Sequence, residues 1–165
     1  IILQVKNLNN REINMNKILK LSSVIFILFL SNTSFGSETH IVKMLNNSEQ
    51  GSMVFEPAFI KINAGDSITF EMTDAGHNAV TVAGPTGSTP FDTKYKPSTT
   101  VKFDVKGIYL YKCTPHAIMA MAGLIQVSDA SNKEAMISEI EKFEGTVMMP
   151  NVKTRISDLF KANIK

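Results

Sequence analysis

Between His40 and Val127 the chain is built from short apolar runs of four or five residues, each closed off by turn-forming residues. Ile41 to Leu45, Phe59 to Ile62, Ser67 to Phe70, Ala79 to Val82, Val101 to Val105, Ile108 to Tyr111 and Leu124 to Val127 are the clearest. Runs this short cannot bury a helical stripe, and several of them alternate apolar with polar, as strands with one solvated face do. The breaks at Ala64-Gly65-Asp66, Gly84-Pro85-Thr86-Gly87 and Lys106-Gly107 come at spacings that suit an antiparallel sandwich rather than parallel strands joined by helices. The expected fold is all-β, a β-sandwich of seven or eight strands spanning residues 37–128.

Past Ser128 the period changes. Ser131 with Glu134 reads as a capping box, Met136, Ile137, Ile140 and Phe143 share one helical face, and Gly145 sits at the position of a C-cap. A second helix is expected after Pro150, capped by Asn151, with Val152, Ile156, Leu159, Phe160 and Ile164 as its apolar stripe. Residues 129–165 therefore form a helical extension packed on the sandwich, its methionines and aromatics serving as core.

The N-terminal composition is of another kind. Lys17 and Lys20 precede the apolar run Val24 to Leu30, and Ser34-Phe35-Gly36 follows, which is the layout of a cleavable export signal over residues 15–36, cut after Gly36. The run falls short of the roughly 18 apolar residues of a membrane-spanning helix, and a retained anchor is the competing reading. Met15 is the natural start, so residues 1–14 read as an upstream, non-native extension. The leading 36 residues hold four of the 17 basic and one of the 15 acidic side chains, leaving 13 and 14. A near-neutral mature chain gives no ground for nucleic-acid binding. The expected product is a periplasmic monomer with no lasting membrane association.

Export usually brings disulfides to a small domain, yet Cys113 is the only cysteine. A lone exported thiol escapes oxidation when it is buried or bound to metal. Cys113, His116 and Met121 follow one another as Cys-x2-His-x4-Met just after a strand, and His77 lies 36 residues earlier at the end of another. A thiolate and a thioether favour Cu(I), while imidazole suits both oxidation states of copper, so these four residues form a donor set that tolerates Cu(I) and Cu(II) alike.

Over residues 43–165 the sequence resembles the pseudoazurins, a family of cupredoxins. Met53-Val-Phe-Glu-Pro57, Thr73-Asp-x-Gly-His-Asn78, Lys112-Cys-Thr-Pro-His116, Met119-x-Met121-x-Gly123 and the helical tail carry the likeness. Plastocyanins share the ligand spacing but lack the tail. The resemblance implies a cupredoxin-like Greek-key sandwich and a single type 1 (blue) copper ion bound by His77, Cys113, His116 and Met121, with Met119 beside the site. It implies that Asn78 ties the loops and offers its backbone N–H to the Cys113 sulfur, and that Pro115, lacking an N–H, leaves that sulfur short of a donor. Replacing Pro115 by Ala, or Met121 by Leu, is then expected to raise the reduction potential.

The same likeness implies single-electron transfer through the His116 edge, ringed by Pro115, Ala117, Ile118, Ala120 and Met53, with transient redox partners such as copper nitrite reductase and c-type cytochrome donors. Lys112, Lys94 and Lys96 would supply the positive ring that such docking uses. Ala75, Asp92 and Asn47 stand where the family carries lysines, which weakens that ring. His40 fits no ligand position, the family's first-strand histidine being Lys43 here.

Three other chemistries compete. Structural zinc takes four Cys or His ligands, whereas this donor set has three and a methionine, which zinc seldom uses. A Cys-His nucleophile needs an orienting third group and a cleft, neither of which the sequence suggests, so the protein is not expected to be an enzyme. A periplasmic copper-delivery or copper-storage protein would use similar ligands, although carriers tend to expose methionine-rich clusters.

Overall fold

The computed structural model describes residues 36–165, of which Ser37–Lys165 form a compact unit. The expected upstream extension and all of the expected leader except Gly36 lie outside the described residues. Among the described residues no helix is long and apolar enough to cross a membrane.

Eight strands make two four-stranded sheets. They are β1 (Thr39–Ser48), β2 (Gly51–Glu56), β3 (Phe59–Ile62), β4 (Ser67–Glu71), β5 (Val80–Ala83), β6 (Ser98–Lys102), β7 (Gly107–Lys112) and β8 (Ala122–Val127). One sheet has the order β2-β1-β4-β6 and the other β3-β8-β7-β5. With two C-terminal helices, α1 (Lys133–Glu144) and α2 (Arg155–Asn163), this is the expected sandwich and tail.

Four of the six strand pairs are antiparallel, as the turn spacing suggests, and two are not. β1 pairs with β4, and β3 with β8, in parallel. From β2 to β7 the chain changes sheet at every step, so apart from β1 with β2 and β7 with β8 the neighbours within a sheet are not consecutive in sequence, and two pairs meet running the same way. Turn spacing reports where strands end, not which strands become neighbours.

Alternation explains the faces of the first sheet. Val42 and Met44 on β1 and Ile68 and Phe70 on β4 are buried, while the residues between them face outward. β8 is buried along its whole length because it is covered on both sides, by the other sheet and by the helices. Two cores result. The inner one, between the sheets, holds Phe55, Phe70, Tyr111 and Val127 among others, and also Cys113 and Met121. The outer one, between the second sheet and the helices, holds Ile108, Leu110, Leu124, Met136, Ile140, Phe143, Ile156, Phe160 and Ile164. Gly123 belongs to this construction, since a Cβ there would run into the Tyr111 hydroxyl and the Ala58 carbonyl.

Local expectations are overturned at the helix ends. No side chain caps α1 at Asn132 or α2 at Thr154, and neither Ser131 nor Asn151 is an N-cap. Asn132 instead uses its amide on β7: Oδ1 accepts from Ile108 N at 2.7 Å and Nδ2 donates to Ile108 O at 2.9 Å. A tie between helix and sheet has displaced a local cap. Glu144 takes up two donors at the start of α2, accepting from Ile156 N and Ser157 N. Ile137 lies 36% exposed, off the buried stripe of α1, whereas Gly145 is the C-cap of that helix as expected, in right-handed backbone conformation. The stripe of α2 runs as expected, with Ile156, Phe160 and Ile164 buried.

Candidate metal centre

Four segments meet at one end of the sandwich: the end of β1, the turn before β5, and the two limbs of the loop from β7 to β8. Each is held by its own local bonds. Lys112 pairs with Ala122 as the last rung of β7 and β8, and beyond it Cys113 N donates to Met121 O at 2.9 Å, closing the loop at its base. Inside it, a 3-10 turn over Ala117–Met119 follows His116, whose carbonyl accepts from Met119 N and Met121 N. Ala120 leaves the turn with φ +58, which sets Met121 pointing back toward the interior. Gly76, at φ +91, makes the reversal that presents His77, a backbone position that side-chain-bearing residues seldom take.

These segments bring three donor atoms together. His77 Nδ1 lies 3.1 Å from His116 Nδ1 and 3.6 Å from Cys113 Sγ, and His116 Nδ1 lies 3.4 Å from Cys113 Sγ. His77 and Cys113 are fully buried, and His116 is partly exposed. Met121 is buried in the same core as Cys113. His77 Nε2–H donates to Asn46 Oδ1 at 3.0 Å, which fixes the tautomer and leaves Nδ1 bare, aimed at the other two donors. Bonds from nitrogen or sulfur to a first-row metal run at roughly 2.0–2.3 Å, and three ligands around one ion then stand about as far apart as these do. The donor set fits copper in both charge and softness.

The electrostatics agree with that. Burial pushes the His77 pKa down, with the neighbouring His116 adding to the effect and Asp74 opposing it, so the ring is neutral and able to ligate. Burial raises the Cys113 thiol, opposed by hydrogen bonds from the backbone N–H groups of Asn78 and His116. Binding a cation there expels the thiol proton, and the pocket holds its donors ready. The second N–H, from His116, is a donor beyond the one expected.

Some supporting residues match expectation and others carry no sequence signal. Asn78 ties the two loops, accepting from Thr114 N at 2.8 Å and donating to Thr114 Oγ1 at 3.1 Å. Asn46 is not evident from the sequence, because a polar residue near a strand end has no periodic or spacing mark. The same holds for Asp74, whose Oδ2 accepts from Asn46 N at 2.7 Å, joining the His77 turn to β1. His40 approaches Asp66 Oδ2 at 3.5 Å, remote in sequence from any donor.

The expected apolar rim is corrected in two places. Ala117 and Ala120 are buried in the outer core, leaving Pro115, Ile118 and the partly exposed Met119 at the surface of the His116 loop, with Met53 partly exposed on β2. Lys94, expected in the positive ring, is bridged to Asp92 at 2.7 Å.

Comparison with known proteins places these features. The model of the copper-binding proteins of the plastocyanin/azurin family matches residues 42–128. A putative pseudoazurin of Rhizobium leguminosarum bv. viciae is 47% identical over 104 residues, 62% of this chain and 68% of that one. The pseudoazurin of Paracoccus pantotrophus is 45% identical over 106 residues, covering 63% and 72%. The chain belongs to the pseudoazurin family. The crystal structure of pseudoazurin from Methylobacterium extorquens superposes with a TM-score of 0.64 at 35% identity, covering 75% of this chain and 98% of that one. As a pseudoazurin it is a copper-binding protein of the cupredoxin fold, and the function that goes with the family is carriage of electrons to and from redox partners.

Proposed function

We propose that this pseudoazurin is a periplasmic shuttle that holds one type 1 copper ion through His77, Cys113, His116 and Met121 and exchanges single electrons through the His116 edge. The observation that carries this reading is the asymmetry of exposure: three of the four donors are buried, and His116 alone reaches the surface. Copper, when bound, supplies a one-electron couple between Cu(I) and Cu(II). The chain's own residues do the rest. Asn46 and Asn78 lock His77 and the ligand loops, so the donors keep their places in both oxidation states and little reorganises on transfer. Burial of Cys113 and Met121 keeps water and oxidants from the sulfurs. The partly exposed His116 ring, set among Pro115, Ile118 and Met119, gives a short path to a docked partner.

Export is part of the proposal, with residues 15–36 removed as a leader and residues 37–128 and 129–165 acting as sandwich and helical cover. Copper nitrite reductase as acceptor and c-type cytochromes as donors are the partner classes that follow from the family, met as brief encounters by a monomer. Delivery or storage of copper is the weaker reading, because donors buried in a core favour retaining the ion.

The test is the absorption spectrum of the oxidised, copper-loaded protein, followed by reductive titration. An intense thiolate-to-Cu(II) band in the visible that bleaches with one electron per copper is expected. A colourless Cu(II) complex, or copper that leaves on reduction, would sink the proposal.

A further inference from the structure

The helical tail contributes to the copper end as well as to the outer core. The segment between α1 and α2 comes back to the ligand loop, where Met148 N donates to Ile118 O at 2.9 Å. Ile118 is two residues past His116. That bond sets an exposed ledge beside the loop: Ile118 is 48% exposed, Met148 75% and Met149 37%. Three large apolar side chains in one exposed group are uncommon on a monomer, where such patches mark contact surfaces. Pro115 and the partly exposed Met119 continue the patch toward the His116 edge.

The charges around this ledge are largely committed elsewhere. Lys94 is bridged to Asp92 at 2.7 Å. The Arg155 guanidinium donates to the Ser52 and Met53 carbonyls at 3.3 and 3.2 Å, and Lys112 is half-buried. Asp74 is occupied by Asn46 N. Lys153, in the turn before α2, and Lys96 remain exposed cations. Residues 37–165, with 13 basic and 14 acidic side chains, add almost no net field.

From the proposed electron-transfer role, on which this inference rests, we propose that Met148 and Met149 extend the docking face, and that its partner is a redox protein presenting an uncharged apolar rim around its own cofactor edge. Methionine is well matched to such a surface, because its unbranched thioether adapts to different partners and it is enriched in interface cores. Brief redox encounters bury little area, so two or three such side chains make a large part of the contact. With no strong charge ring to steer approach, association depends on this contact and is nearly indifferent to salt. A second copy of the chain, near neutral and bearing the same rim, is a partner of the stated chemistry and serves as the probe.

The experiment measures electron self-exchange of the copper-loaded protein by NMR line broadening, at low and high ionic strength, for the native chain and for the variants M148S/M149S and M148K. Oxidation by ferricyanide, a reagent too small to use the ledge, is the control. Self-exchange should fall by about tenfold or more in both variants, within the range that interface substitutions span, with the reduction potential and ferricyanide rate unchanged. The native rate should vary less than about twofold with salt. Variants that exchange as fast as the native chain would overturn the docking role of the ledge. So would a steep salt dependence of the native rate, which would point to a charged interface. A copper protein that fails to react even with ferricyanide would instead defeat the electron-transfer reading itself.

Discussion

The inner and outer cores differ in what their residues are chosen for. The outer core, between the second sheet and the helices, is filled by aliphatic and aromatic side chains whose only role is packing. The inner core has large apolar groups at its centre too, but ends in Cys113 and Met121. The ligand loop joins the two, with Cys113 and Met121 in the inner core and Ala117 and Ala120 in the outer. The sulfur donors are thus held by one core and the backbone carrying His116 by the other. A preformed metal site needs both, because donors on a free loop would collapse or drift when the ion is absent.

Removing the inner core's donor should have the largest effect. Cys113→Ala is expected to abolish the visible band and stoichiometric copper binding, while the metal-free protein melts close to the native temperature, since a small buried apolar group replaces another. Metal analysis with differential scanning calorimetry checks both halves. Copper bound as tightly as before would break the assignment of Cys113 to the site.

The outer core should show the reverse. Ile156 is fully buried, and Ile156→Ala leaves a cavity that costs about 2–5 kcal/mol. Denaturant unfolding of the metal-free protein should register the whole of that loss, with the visible band of the copper-loaded variant unmoved. A shifted band would show that helix packing reaches the ligands through Ala117 and Ala120, and the contrast between the cores would then be one of degree.

The boundary between the cores can be tested at Asn78, which holds the His77 turn to Thr114 through two hydrogen bonds. Asn78→Ala removes both and leaves Thr114 N without its acceptor. Loss of such supporting contacts typically costs about 10- to 100-fold in metal affinity, and competition with a Cu(I) chelator measures it. Unchanged affinity would mean that packing alone holds the loops.

How much of this is legible in the sequence divides along the same line. Core positions follow from period, because a residue's burial is set by its neighbours in sequence: Val42, Met44, Ile68, Phe70, Ile140 and Phe160 all lie where alternation or helical spacing puts them. The donor set is legible because three of its members share one loop, and the fourth, His77, sits in a turn matching the family's. Pairing is not. The parallel contacts of β1 with β4 and of β3 with β8 depend on crossovers that no local pattern encodes. β2 is hidden because Met53, at φ +51, interrupts its alternation and because Val54 and Phe55 are both buried, Phe55 in the inner core opposite Met44 and Val54 opposite Leu45. Ser131 and Asn151 fail as caps for a related reason: Asn132 and Glu144 make long-range bonds that satisfy backbone groups in ways a local motif cannot register. Asn46 belongs to the same class, since its value lies in meeting His77 across 31 residues.

The smallest effect is expected at Asp66, in the turn between β3 and β4. Its buried carboxylate accepts from Glu38 N and Asn63 N, both at 2.8 Å, and lies 3.5 Å from His40 Nε2. Those backbone bonds, with His40 adding to them, hold its pKa below the usual carboxylate value against the opposing pull of burial. A carboxyl more acidic in the folded than in the unfolded chain stabilises the fold at pH above its unfolded pKa, and that contribution disappears as pH falls through the folded value. Asp66→Ala should therefore cost about 1–3 kcal/mol near neutrality, the range for losing hydrogen bonds to a charged group. The difference from the native chain should shrink on acidification below about pH 4. Thermal unfolding of both metal-free proteins across that range gives the comparison, and the copper spectrum of the variant should be native. A deficit that stays constant down to the acid limit would show that Asp66 acts through shape and not charge. A disturbed copper spectrum would show that the strand ends of the sandwich communicate along β1, which runs from the neighbourhood of Asp66 to Asn46 beside His77.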